Sequence, residues 1–235
     1  MKHKRWGTLW TVLTIIAFVI WGLNIIFMHS FNPWFIATVF FSFIFFCALS
    51  GLETSKAQKL SAGLEGEERS VNALSSLPDE YTVIRNVHLD VPEVGKAEID
   101  QLVIGPNGLF VVETKNYRGA LYGDLANPIL QKTKVSSSGN EYTETVKNPV
   151  QQVRRQVWIL AQFLRSKGFN FRIKGIVFMT NPDVEMNVTD SRGDVPVVCR
   201  SFDGDDALVE EIADSCIANL SESDISRIHD AILNA

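Results

Sequence analysis

The sequence is poor in cysteine and histidine, and between Trp6 and Leu52 it has no Lys, Arg, Asp or Glu at all. Its three cysteines, Cys47, Cys199 and Cys216, follow no spacing pattern, so neither a disulfide framework nor a zinc site can be built from them. The histidines, at 3, 29, 88 and 229, do not group. There is no G-x-S-x-G, no H-E-x-x-H and no Walker A loop, which removes the serine-hydrolase, zincin and P-loop chemistries. Internal repeats and low-complexity segments are also absent.

The stretch without acids or bases carries its own prediction. It splits around "HSFNP" into Thr8–Met28 and Trp34–Leu52, with Asn32-Pro33 as the turn. At about 1.5 Å per helical residue each piece can cross a hydrocarbon core roughly 30 Å thick. Trp6, Trp10 and Trp34 sit near the ends, where amphipathic rings prefer the interface. The basic start "MKHKR" also suits a cleaved signal peptide. However, the apolar part is too long for that, lacks a small-residue cleavage site and leads directly into a second span. The expectation is a two-helix transmembrane hairpin, about 8–28 and 34–52. Lys2, Lys4 and Arg5 on one side and Lys56 and Lys59 on the other put both ends in the cytoplasm, giving a multi-pass protein of the inner (cytoplasmic) membrane.

Charge is unevenly spread over the rest. Residues 53–179 hold sixteen Lys/Arg and fourteen Asp/Glu, whereas 180–235 hold three and thirteen; within 128–179 the count is nine to two. Only the middle of the chain suits a polyanion. Hydrophobic spacing predicts a helix over 60–77, with Leu60, Leu64, Val71 and Leu74 on one stripe and Glu67 completing it. Glu65 and Glu68 are explained by the preference of acids for a first turn; Glu67 is not. Strands are expected at 81–89, 97–105 and 108–116, then a strand in "RGALYGD" and a polar stretch that forms a hairpin around "SSSGN". Asn148-Pro149 opens a second helix with its stripe at Val150, Val153, Val157, Leu160 and Leu164, ended by Gly168. Strands at 172–181 and 195–199 and helices at about 204–219 and 222–233 complete an α/β fold with a mixed sheet flanked by helices. The expected domains are 1–52 in the membrane, 53–200 as the main domain, and 201–235 as acidic helices packed on it.

The segment "GLFVVETKNY" runs an apolar strand into an acid and a base. Side chains alternate along a strand, so Val111, Glu113 and Lys115 share a face. If Asn107-Gly108 is the turn, Asp100 falls opposite Lys115; if all of "GPNG" is the loop, Asp100 falls opposite Glu113. Either even-length loop gathers Asp100, Glu113 and Lys115. Two carboxylates and an amine suit Mg²⁺ bound with water and phosphate oxygens, with the lysine orienting the attacking water. The competing reading is a structural ion cluster at a sheet edge. On the second helix, Gln152 lies in the first turn, where backbone N–H groups favour anions, and Arg154 and Arg155 come next as candidate contacts to a nucleic-acid backbone.

With Asp100, then Glu113-Thr114-Lys115 after an apolar strand and a helical acid before them, the chain resembles the PD-(D/E)XK nuclease superfamily. More narrowly, "GLEGEERSVNAL", "EIDQLVIGPNGLFVVETKNYRG" and "NPVQQ" resemble the nuclease-related domain (NERD) family over roughly residues 60–180. The resemblance implies a restriction-endonuclease-like core and Mg²⁺-dependent (or Mn²⁺-dependent) phosphodiester hydrolysis. In it Asp100, Glu113 and Glu67 hold metal, Lys115 is the catalytic lysine, and Gln152 is the glutamine of the second helix. The expected function is a membrane-anchored nuclease acting on DNA, with RNA the lesser alternative. Two other readings stand beside it: an inactive nucleic-acid-binding module, and a membrane adaptor working through its acidic C-terminal helices.

Overall fold

In the computed structural model the described residues are 63–135, 139–204 and 206–235, with isolated positions (16, 40–42, 44, 45, 60 and 61) before them. The expected transmembrane hairpin lies almost wholly outside the described residues. Among the described residues no helix is long and apolar enough to cross a membrane. The chain divides into two compact units, Met1–Gly63 and Leu64–Ala235, and the second contains all the described strands.

A helix over residues 63–74, α1, leads into three antiparallel strands: β1 (Thr82–Val91), β2 (Gly95–Gly105) and β3 (Gly108–Lys115). β4 (Gly119–Asp124), β5 (Ile129–Val135) and β6 (Glu141–Lys147) come next, then helix α2 (Pro149–Ser166). The chain ends with β7 (Ile173–Met179), β8 (Val184–Thr189), β9 (Val197–Cys199) and helices α3 (Arg200–Asp203), α4 (Ala207–Ala213) and α5 (Glu222–Leu233).

Two sheets result. The first has the order β1-β2-β3-β7-β9, antiparallel up to β3 and parallel from β3 through β7 to β9; the second has the order β6-β5-β4-β8. β3 is central and almost entirely buried, as a run of Leu, Phe and Val covered on both faces must be. On one face Leu109 and Val111 join the larger core with Val150, Val153 and Leu160 of α2 and with Leu121 and Leu130 of the second sheet. On the other, Phe110 and Val112 pack with Leu74, Leu208 and Ile212. The second sheet is more extensive than the hairpin expected from the sequence, because β8 pairs in parallel with β4.

The turn between β2 and β3 settles the register. Gly105 pairs with Gly108 and Gln101 with Val112, which is the alternative that sets Asp100 opposite Glu113. This turn is also an anchor. Asn107 donates from Nδ2 to the carbonyls of Ile212 and Ser215, each at 2.7 Å, and its own carbonyl accepts from Ile217 at 2.9 Å. Gly108 has φ 140°, and a Cβ there would lie 2.9 Å from the Ile217 side chain. Where one long helix was expected over 204–219, α4 stops at Ala213 and Asn107 takes up carbonyls at its end. The C-terminal helices bury Leu208, Ile212, Ile228 and Ile232 in the same fold.

Candidate active site

Strict alternation breaks once in β1 and once in β2, at the same level. Ile84 and Val87, three residues apart, both pack in the larger core, as do Ile99 and Leu102. Between them lie Asn86, in the left-handed region with φ 52°, and Asp100. The β2–β3 ladder ends at Gln101 and Val112, and just past it the Asp100 carboxylate accepts a hydrogen bond from the Thr114 backbone N–H at 2.8 Å. A side-chain oxygen thus ties the two strands where backbone pairing stops, holding Asp100 at the end of β3.

Glu113, only 1% exposed, is gripped from two sides. Its Oε1 accepts from Lys115 Nζ, and its Oε2 accepts from Gln156 Nε2 at 2.6 Å. Gln156 also donates to the Glu98 carbonyl at 2.7 Å, while its buried Oε1 has no partner. Both donations fix the amide orientation, since a flip would set oxygen against oxygen. Behind β3, buried Gln101 accepts from Ser70 of α1 at 2.7 Å and from Thr114 at 3.2 Å, pinning helix to sheet.

Burial pushes the carboxyls of Asp100 and Glu113 above their usual range, only partly offset by the Thr114 N–H and by Lys115. Burial opposes the charge on Lys115, but Glu113 first, then Tyr117 and Asp100, together hold the ammonium above its ordinary value. Lys115 is therefore a cation here, a donor rather than a base.

α1 docks differently from its predicted stripe. Gly66, Ser70 and Leu74 are its buried positions, whereas Leu60, Leu64 and Glu67 are exposed. The small residues explain this: a Cβ at Gly66 would lie 2.8 Å from Asn116 Cβ, so only glycine admits the helix so close to the end of β3. Glu67 is thereby at the rim rather than inward. It lines a cavity of about 210 Å³ together with Glu68, Arg85, Asn86, Asp100 and Gln101. Arg85 forms no ion pair among the described residues, and nothing in its sequence context marked it.

The structure departs further from the sequence expectation on α2. Its start is capped as expected, with Asn148 Oδ1 accepting from Val150 N at 2.9 Å. But Asn148 Nδ2 donates to the carbonyls of Leu125 and Asn127, and Gln151 to those of Leu125 and Ala126, so the first turn is covered by the β4–β5 loop rather than open to an anion. Gln152 is half-buried there; the glutamine on Glu113 is Gln156, one turn further on. Its position four residues along the same helix was the available signal, because i and i+4 share a face. Arg154 is paired with Asp194 and bonded to the Leu125 carbonyl, and this pairing depresses the Asp194 carboxyl. Arg155 is exposed and donates to the Lys96 carbonyl at 3.4 Å. Arg154 is thus engaged by an acid, whereas Arg155 lies open to solvent.

The donor set fits a hard divalent cation. Asp100 and Glu113 supply two carboxylates, Gln156, bonded to Glu113, has a buried Oε1 without a partner, and Mg²⁺ typically takes one or two carboxylates plus water and phosphate oxygens. Among the described residues, no three Asp, Glu, His or Cys side chains gather closely enough to form a metal cage by themselves; Glu67 shares a cavity wall with Asp100.

A family model described as "Nuclease-related domain" (NERD) matches residues 62–180, about half of the chain. An uncharacterized protein of Bacillus anthracis is 44% identical over 62 residues, covering 26% of this chain and 29% of that protein. The chain thus spans less than a third of the length of the curated relative it matches. No solved structure matches it.

Proposed function

The chain belongs to the nuclease-related domain family, and on that premise we propose that it is a membrane-anchored, Mg²⁺-dependent phosphodiesterase that cuts DNA. The observation that carries the reading is the meeting of Asp100, Glu113 and Lys115 at the end of one buried strand, with Gln156 orienting the glutamate. A sheet can be stabilised without an acid pair whose carboxyls burial penalises. Such a cost is typical of a site kept for chemistry.

Asp100 and Glu113 would hold the cation, with Glu67, which lines the cavity beside Asp100, as a further oxygen donor. When bound, Mg²⁺ would lower the pKa of a water and neutralise charge on the phosphate. The protein's own groups have separate tasks. Lys115, kept charged by Glu113, presents its ammonium to the phosphate, where negative charge grows as the water attacks. Gln156 Oε1 can accept a hydrogen from that water, and its Nε2 keeps Glu113 aimed. Arg85, free of an acidic partner among the described residues, lines the cavity where a strand would enter. Anchoring is supported by the uncharged run from Trp6 to Leu52 and by the exposed, helical Ile16, Phe40, Phe41, Ile44 and Phe45. That sequence pattern also supports the inner membrane, with the C-terminal domain in the cytoplasm.

The test is cleavage of labelled single- and double-stranded DNA, and of RNA, by the full chain with Mg²⁺. The wild type cuts DNA, EDTA stops it, and Lys115→Ala lowers turnover about 100-fold or more. Undiminished cutting by that variant removes the assignment. One observation favours a second reading, a module that binds nucleic acid without cutting it: no three metal-ligating side chains gather among the described residues. Binding without cleavage in either Mg²⁺ or Mn²⁺ would select it.

A further inference from the structure

Sheet β6-β5-β4-β8 carries a feature that the centre on β3 does not use. Its register sets Leu121, Lys132 and Glu144 in one row across β4, β5 and β6. On β5, Leu130 and Lys132 both point into the molecule, 1% and 6% exposed. A lysine thus sits beside Leu130 and Leu121 on the inward face of the sheet, with Glu144 as its neighbour on β6. Its Nζ lies 4.6 Å from the centroid of the Tyr117 ring and 2.6 Å from Glu144 Oε1. Lys134 reaches the same oxygen at 2.9 Å. Two ammoniums therefore share one carboxylate.

That ratio is hard to explain as packing. One lysine satisfies one glutamate, and an apolar residue at 132 would fill the row without desolvating a charge. Burial opposes the charge on Lys132, while the two lysines draw the Glu144 carboxyl down to about 2; the surplus of positive charge rests on two ammoniums at 2.6 and 2.9 Å from one carboxylate oxygen. The surplus is reachable: the side chains of Lys134 and Glu144 are 27% and 35% exposed. It also adjoins the centre. Tyr117 is two residues past Lys115, and its hydroxyl feels Lys115 and Glu113 as well as Glu144 and Lys134.

We propose that Lys132 and Lys134 form a phosphate subsite that holds the nucleic-acid backbone next to the phosphate at the Glu113–Lys115 centre, with Glu144 as the internal counter-ion that the ligand competes with. This rests on the nucleic-acid reading above. The ligand is a phosphodiester, bound by point charges from lysine without base recognition.

The experiment uses the full chain and a fluorescein-labelled DNA duplex, in EDTA so that nothing is cut, with anisotropy titrations over a KCl series and a melting curve for each variant. Lys134→Gln, at a half-exposed position that tolerates change, reduces the slope of log affinity against log salt by about 0.9, the share of one duplex phosphate. Lys132→Met does the same. Glu144→Gln acts in the opposite direction, tightening binding several-fold and steepening the slope, which loss of a purely structural ion pair would not do. Glu141→Gln changes the net charge equally on the outer face of the same strand and leaves both quantities unchanged. If the wild type binds and Lys134→Gln keeps the full slope, or Glu144→Gln behaves like Glu141→Gln, the subsite is refuted and the nuclease reading survives. A wild type that does not bind DNA refutes both.

Discussion

Replacing Gln156 with Met separates the glutamine that the geometry selects from the one that the sequence resemblance selected. Methionine keeps the length and most of the volume of the side chain, so packing at this buried position is preserved. Two hydrogen bonds are lost: one at 2.6 Å to a buried carboxylate and one at 2.7 Å to the Glu98 carbonyl. The first is a charged bond of about 1.5–3 kcal/mol and the second a neutral one of about 1 kcal/mol. Against them stands the removal of Oε1, a buried oxygen without a partner, whose loss returns about 1–3 kcal/mol. The balance centres on a destabilisation of about 1 kcal/mol, or roughly 2–4 °C in Tm for a domain of this size. Activity should fall more steeply, about 10–100-fold, because Glu113 loses the group that aims it. Gln152→Met, on the half-buried first turn, should change stability by less than about 0.5 kcal/mol and leave turnover intact. Thermal melts and single-turnover cleavage on the two variants decide it. Full activity in Gln156→Met, or an equal loss in Gln152→Met, would refute the placement of Gln156 as the residue that positions Glu113.

The same geometry predicts two further outcomes. Burial raises the Asp100 carboxyl, so the folded state holds its proton to higher pH than the unfolded chain, and ionisation costs stability as pH rises above the ordinary carboxylate range. Asp100→Asn, which can still accept from Thr114, should therefore raise Tm at neutral pH while abolishing cleavage, and the gain should vanish below that range; a lower Tm at neutral pH would contradict the burial argument. Asn107→Ala strands the carbonyls of Ile212 and Ser215 and should cost about 2–3 kcal/mol, read by denaturant melts and by faster hydrogen exchange in residues 212–220; unchanged exchange there would show that the turn does not anchor the C-terminal segment.

Much of the framework was legible along the chain because the signals are local. Asn148-Pro149 announces a helix start, and the apolar run before Glu113 announces a strand buried on both faces. "GPNG" stood out as a turn, but its second task was not visible, since the carbonyls that Asn107 holds come from more than a hundred residues away. The stripe on α1 misled for a related reason. Periodicity ranks residues by hydrophobicity, whereas this helix is seated by Gly66 and Ser70, chosen for closeness and for a hydrogen bond to Gln101. Leu64 is left outside.

The strand that ends in Glu113, the turn at "GPNG" and the shared face of Glu113 and Lys115 are properties of the sequence alone, because alternation and turn chemistry act over a few residues. Only the tertiary structure could decide that Asp100 bonds to Thr114, that Gln156 rather than Gln152 meets Glu113, that Arg154 is spent on Asp194, and that two lysines converge on Glu144. The first and last follow from the register in which β2 meets β3 and β5 meets β6, and the other two from the elements that α2 is packed against, neither of which a single local stretch of chain specifies.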